Sequence, residues 1–119
     1  DHRAIGGMSR GSGWALRLGL TRSDLFGIIG LHSLAVLQGD GSKIKQWTEK
    51  IPPTSHPSIF MDIGESDQEV DMALNVVDIF TQKGIPLEWH LYTGAHTEEY
   101  WRAHVEEYIS WYASQWDNP

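Results

Sequence analysis

The chain has 119 residues, 40% of them hydrophobic, with no cysteine and a formal net charge of −7. That length and apolar content fit one globular domain, or part of one, rather than a disordered segment. The acidic balance and the lack of any Lys/Arg cluster exclude a phosphate-tracking nucleic-acid surface, and the absence of thiols excludes disulfides, thiolate nucleophiles and Cys-containing zinc sites.

The chain opens Asp1-His2-Arg3, with neither an initiator Met nor the order of a signal peptide, so further sequence is expected upstream. No apolar run reaches membrane-span length, so no membrane partner is expected, and cytoplasmic and secreted locations are not distinguishable. Arg3 to Met8 is short and partly apolar and runs into the Gly-rich stretch Gly6 to Gly13. Trp14, Ala15, Leu16, Leu18 and Leu20 then set a helical pattern, giving strand, tight turn and helix. Phe26 to Leu31 is a β-branched run ending at His32-Ser33, and Ser58 to Ile63 is a second, after the breakers Pro52, Pro53 and Pro57. Both predict buried strands.

From Gln68 to Lys83, Val70, Ala73, Leu74, Val77 and Phe80 fall on one helical face, with Ser66 and Glu69 as a capping box and Gly84 and Pro86 as the stop. Pro86 to Tyr92 predicts a strand, followed by the turn Thr93 to His96. Thr97 can cap a last helix that carries Glu98 and Glu99 in its first turn and Trp101, Val105, Tyr108 and Tyr112 as its buried stripe. Strands alternating with helices predict an α/β fold of about four parallel strands. Without repeat or linker, residues 1–119 read as one unit.

Gly7-Met8-Ser9-Arg10-Gly11 is G-x-S-x-G between a strand and a helix, where a strained turn exposes a nucleophilic hydroxyl. Flanking glycines would let strand and helix backbones approach, and the Arg10 N–H at the helix start is placed to donate to an oxyanion. A Gly-rich turn could instead cradle a phosphate, but the Lys-Ser/Thr end of a P-loop and the G-x-G-x-x-G spacing are missing. A hydrolase triad must continue in the order Ser, acid, His, each on a loop after a strand. Asp67 follows the strand Ile59 to Ile63, and His96 follows the strand Leu87 to Tyr92.

Alternatives stay open. Asp67 can be read as a first-turn helix acid, with Glu65, Glu69 and Asp71 as competing carboxylates, whereas Asp62 lies inside the strand and points away by parity. His2, His32 and His56 precede the acid, His90 is mid-strand and His104 is inside a helix, which leaves His96 as base. His32 either lines a substrate pocket or is an ordinary satisfied histidine. The spacing of His and carboxylates matches no metal motif such as H-E-x-x-H, so neither metal nor cofactor is expected.

Three stretches resemble the putative-esterase family of α/β-hydrolases, whose relatives include feruloyl and acetyl esterases, S-formylglutathione hydrolases, enterochelin esterases and mycolyltransferases. Arg3 to Gly11 looks like its nucleophile elbow, Asp62 to Asp67 like its acid loop, and Gly94 to Trp101 like its His loop with an aromatic pair; Asp24 to Gly27 resembles the lead into its next strand. Arg10 and Gly11-Ser12-Gly13 depart from the small or Met residue and Gly pair common after the family's serine. The resemblance implies the C-terminal half of the fold, with the first strands and the second oxyanion donor preceding Asp1. It also implies a serine esterase acting through Ser9, Asp67 and His96 and an acyl-enzyme, on a small-molecule or carbohydrate-linked ester. The rivals are an acyltransferase of the mycolyl type and a noncatalytic fragment or interaction module. A missing N-terminal half, or oligomerisation at the exposed strand Arg3 to Met8, is the expected partner, with apolar surface at Ile28, Ile59 and Leu87 or their neighbours left open.

Overall fold

A computed structural model describes residues 3–116. Four strands, β1 (Ala4–Met8), β2 (Ile28–His32), β3 (Ser58–Gly64) and β4 (Leu87–Tyr92), pair in parallel in the order β1-β2-β3-β4. They alternate with helices α1 (Arg10–Thr21), α2 (Ile44–Glu49), α3 (Val70–Gln82) and α4 (Glu98–Trp116), the partial α/β architecture expected. Each strand lies beside the one before it, so right-handed crossovers bring α1, α2 and α3 to one face of the sheet. No such constraint governs α4, which covers the other face.

The alternation of side chains explains both layers. Ile29 and Leu31 of β2 and Ile59, Met61 and Ile63 of β3 enter the larger core with Leu16, Leu20, Ile44, Val76 and Phe80 of the three crossover helices. Their neighbours Ile28 and Phe60 face the other way and pack with Tyr108 and Trp111 of α4. Ile28 and Ile59 are therefore buried and Leu87 packs against the larger core, contrary to the expectation of an open apolar face there. Among the exposed apolar side chains, Met8, Val105 and Ile109 gather around an open cleft of about 380 Å³ beside β1.

Several boundaries differ from the sequence reading. The second strand begins at Ile28 rather than Phe26, because the Leu25 and Phe26 N–H groups turn back to the Arg22 carbonyl at the end of α1. The expected capping box does not form; Asp67 Oδ1 accepts the Glu69 N–H (2.9 Å), and α3 begins at Val70. On α3, Val76 is buried and Leu74 exposed. On α4, Val105 is 41% exposed, while Tyr100, Tyr108 and Trp111 are buried. Thr97 does cap α4, its hydroxyl accepting the Tyr100 N–H at 3.2 Å, three residues on.

Candidate active site

Ser9 links the last residue of β1 to the first of α1, and its backbone takes φ 58° and ψ −124°, a conformation that a residue with a Cβ holds only under constraint. The constraints are specific. The Ser9 N–H donates to the His32 carbonyl at 3.0 Å, and the Ser12 hydroxyl donates to the Ser9 carbonyl while accepting the Ala35 N–H at 3.1 Å. A Cβ on Gly7 would lie 2.4 Å from the Gly11 carbonyl carbon, so this close crossing of strand and helix needs glycine at position 7. Gly11 differs from the expectation: a Cβ there would meet nothing within 4 Å among the described residues. The Arg10 N–H opens α1 and has no carbonyl one turn earlier in the helix to accept it.

The acid and His loops are joined by main-chain bonds. The Glu65 N–H donates to the Tyr92 carbonyl (2.7 Å) and the Ser66 N–H to the Gly94 carbonyl (2.8 Å). Asp67, its side chain fully buried, thereby faces His96: Nδ1 of the imidazole lies 2.7 Å from Asp67 Oδ2, and Nε2 lies 2.6 Å from Ser9 Oγ. In the tautomer that satisfies both contacts, the Ser9 hydroxyl donates to Nε2 and Nδ1–H donates to the carboxylate. The first-turn-acid reading and the triad-acid reading of Asp67 are compatible, because its two oxygens serve the Glu69 N–H and His96 separately. The bonds to the His96 ring nitrogens are thus made by Asp67 and Ser9, not by the rival carboxylates Glu65, Glu69 or Asp71.

Three features escaped the sequence reading. Trp101 Nε1 donates to the Ser33 hydroxyl at 2.8 Å and sets its ring edgewise to His96, with centroids 5.2 Å apart. Ser33 follows β2 with φ 53°. A cleft of about 370 Å³ beside Ser9 is lined by Ser9, Arg10, Trp14 and the loop Ala35 to Gln38. Trp14 is held by the Arg17 guanidinium above its ring (4.8 Å), which Asp40 anchors through two hydrogen bonds of 2.9 and 3.0 Å. Aromatic residues after the His loop and one turn into α1 were visible, but their partners were not.

His32 is not a loop residue. It ends β2, almost fully buried on the α4 face, bonded to Asp62 at 2.8 Å, and only its edge borders the cleft beside β1. His2 lies outside the described residues. Glu88, His90 and Glu107, on β4 and α4, bring possible ligand atoms within 4.8 Å of one another at the sheet edge opposite β1. His90 Nε2 and Glu88 are already 2.8 Å apart as a pair.

The fold matches solved structures over nearly all of its length. A ferulic acid esterase superposes with a TM-score of 0.79 at 20% identity, covering 96% of this chain and 51% of that one. The S-formylglutathione hydrolase of Staphylococcus aureus gives 0.72 at 17% identity, covering 92% and 50%. The capsule O-acetyltransferase of Neisseria meningitidis serogroup A also gives 0.72 at 17% identity, covering 91% and 54%. The chain thus spans about half the length of these proteins. No curated protein sequence is significantly similar to it. At such identities the structures speak for the fold alone, but the model of the family described as "Putative esterase" matches residues 1–111, and to that family the chain belongs.

Proposed function

We propose that the complete protein carrying this chain is a serine carboxylic-ester hydrolase with Ser9 as nucleophile, His96 as general base and acid, and Asp67 as the acid that orients it. One observation carries the reading: the continuous relay from Ser9 Oγ through the imidazole to a buried carboxylate, at 2.6 and 2.7 Å. As Ser9 Oγ attacks the ester carbonyl, His96 Nε2 takes its proton, and the imidazolium formed is stabilised by Asp67. The Arg10 N–H supplies one donor to the oxyanion. Collapse of the tetrahedral intermediate expels the alcohol, protonated by His96, and leaves an acyl-serine; water activated by the same imidazole completes the cycle. One oxyanion donor is worth roughly 100- to 1,000-fold in turnover, so the second donor is expected from the part of the fold absent from these residues.

The substrate proposed is a small-molecule or carbohydrate-linked ester, with one moiety in the cleft against Trp14 and the loop Ala35 to Gln38. The same relay would serve acyl transfer if an alcohol displaced water. Product partition in the presence of added alcohol separates hydrolase from transferase, and absence of any turnover by the complete protein would leave the noncatalytic reading. Among the described residues no helix is long and apolar enough to cross a membrane. The free edge of β1, with Met8, Val105 and Ile109 exposed near it, is proposed as the surface that pairs with the remaining half of the fold or with a second copy.

The test is hydrolysis of a short-chain aryl ester by the complete protein. Ser9→Ala and His96→Ala should each lower kcat by several orders of magnitude, and the double variant should be little worse than either, because the members act as a unit. Near-native turnover in Ser9→Ala would end the nucleophile assignment.

A further inference from the structure

Asp62 is a buried acid that the triad chemistry does not use. It sits in the middle of β3, 1% exposed, and parity turns it to the α4 face, away from the larger core. Its Oδ1 accepts His32 Nδ1–H at 2.8 Å, and its Oδ2 accepts the hydroxyls of Tyr100 (2.6 Å) and Tyr108. His32 Nε2 in turn accepts the Tyr112 hydroxyl at 2.9 Å, and the His32 ring stacks on Tyr108 with centroids 3.7 Å apart. Gly6 and Gly30, register partners on β1 and β2, make room for this: a Cβ on either would come within 1.8 and 1.7 Å of the Tyr112 hydroxyl. Burial and Asp62 push the Tyr112 phenol up to about 12, and the same causes raise Tyr100 and Tyr108 further, so all three remain O–H donors at ordinary pH.

A carboxylate in this setting is costly unless every acceptor site is served, and apolar residues would fill the space with less demand. What the polar arrangement adds is a fixed geometry. On one side, the main chain of His32 accepts the Ser9 N–H, and the next residue, Ser33, donates its N–H to the Asp62 carbonyl at 2.8 Å. On the other side, Tyr100 sets its ring against Gly94, two residues before His96, where a Cβ would lie 2.8 Å from the ring. The elbow, through His32, and the His96 loop, through Gly94 and Tyr100, thus both lead to one carboxylate, although Ser9 and His96 are 87 residues apart in sequence.

We infer that Asp62 is a positioning residue for the triad, holding the nucleophile elbow through His32 and the His96 loop through Tyr100. The inference rests on the assignment of Ser9, His96 and Asp67 given above. A misplacement of about 1 Å in a reacting group costs on the order of 100-fold in rate, so loss of this frame should register in turnover rather than in substrate binding.

The experiment compares Asp62→Asn and Tyr100→Phe with the parent in the complete protein. Functional serines are counted first by stoichiometric labelling with an organophosphonate, the labelled residue is mapped, and kcat and KM are then measured per labelled site. Asp62→Asn, isosteric but turning one acceptor into a donor that faces other donors, should lower kcat per site by ~30- to 100-fold with KM changed less than about twofold. Tyr100→Phe removes a single O–H and should cost about tenfold; it gives the same comparison if Asp62→Asn does not fold. A merely stabilising role would lower the number of labelled sites or the melting temperature but leave kcat per site native, and that result overturns the inference alone. A parent protein not labelled at Ser9 overturns the triad assignment and the positioning role with it.

Discussion

Asp67→Asn isolates the orienting role proposed for Asp67 with almost no change in volume, and the structure fixes what the amide must do. The carboxylate accepts two hydrogen bonds from opposite sides, Oδ1 from the Glu69 N–H at 2.9 Å and Oδ2 from His96 Nδ1–H at 2.7 Å. An asparagine can present its oxygen to only one of them. The main-chain N–H cannot change character, so the amide oxygen is expected to stay with Glu69 and the NH2 group to face His96. The imidazole must then accept at Nδ1 and carry its proton on Nε2, the atom 2.6 Å from Ser9 Oγ. In that tautomer Nε2 cannot take the serine proton, and no carboxylate charge stabilises the imidazolium.

In the Ser-His-Asp triad of serine proteases, the same acid-to-amide change loses about 10,000-fold in kcat, which converts to ~5.4 kcal/mol of transition-state stabilisation at about 1.36 kcal/mol per tenfold. A loss of that order is expected here in aryl-ester hydrolysis by the complete protein, with Glu65→Gln and Glu69→Gln near the parent. Turnover of Asp67→Asn within about tenfold of the parent, or a larger loss at Glu65 or Glu69, would refute the reasoning from tautomer control and move the role elsewhere.

Gly7→Ala should destabilise by about 1–3 kcal/mol in chemical denaturation, since its Cβ meets the Gly11 backbone, while Gly11→Ala should stay within about 1 kcal/mol of the parent; equal costs would show that the close crossing is not what selects glycine. Stability should fall as pH rises from about 10 towards 12, because unfolded tyrosines lose their protons near 10 whereas burial and Asp62 hold Tyr112 protonated up to about 12 and Tyr100 and Tyr108 beyond it. Each such tyrosine contributes a slope of about −1.4 kcal/mol per pH unit, so Tyr108→Phe should flatten the alkaline limb by about that amount, and an unchanged slope would count against its burial beside Asp62. Expressed alone, residues 1–119 should be poorly soluble or oligomeric and nearly inactive, with solubility and esterase activity restored by coexpressing the proposed remaining part of the fold. A monodisperse, fully active monomer would contradict this and place the second oxyanion donor among these residues.

The residues most legible in the sequence were those whose chemistry is tied to a turn. Ser9 stands between a strand and a helix with glycines around it, and Asp67 and His96 each follow a strand, so chain order alone could assemble them as candidates. Element boundaries were legible only where a side chain governs them: Thr97 caps α4 as read, but α3 starts from an Asp67 contact that the Ser66-Glu69 pattern concealed. Helix α2 has no counterpart in the sequence reading, although Ile44, Trp47 and Ile51 stand at helical spacing. The Asp62 cluster was legible in principle. An acid in the apolar run Ile59 to Ile63 demands buried donors, and Tyr100, Tyr108 and Tyr112 on one later helix could supply them. What no local pattern contains is that Gly6 and Gly30 would lie side by side to admit a hydroxyl.

The position of the chemistry follows from the parallel sheet. All four loops that leave the carboxyl ends of β1, β2, β3 and β4 emerge on one side, and each contributes one residue in turn: Ser9, Ser33, Asp67 and His96. Neighbouring strands lie about 4.8 Å apart, so β1 and β4, three spacings apart, stand ~14 Å from each other, far beyond the reach of a direct Ser–His contact. The observed 2.6 Å between Ser9 Oγ and His96 Nε2 therefore requires the His loop to fold back across the ends of β3 and β2. Its anchors lie along that path: Tyr92 and Gly94 carbonyls on the acid loop after β3, then Trp101 on Ser33 after β2. The geometry of the proposed triad is thus a property of the loop crossing as much as of Ser9, Asp67 and His96 themselves, and on the inference drawn above it is held from the α4 face of the sheet by the hydroxyls that α4 directs onto Asp62.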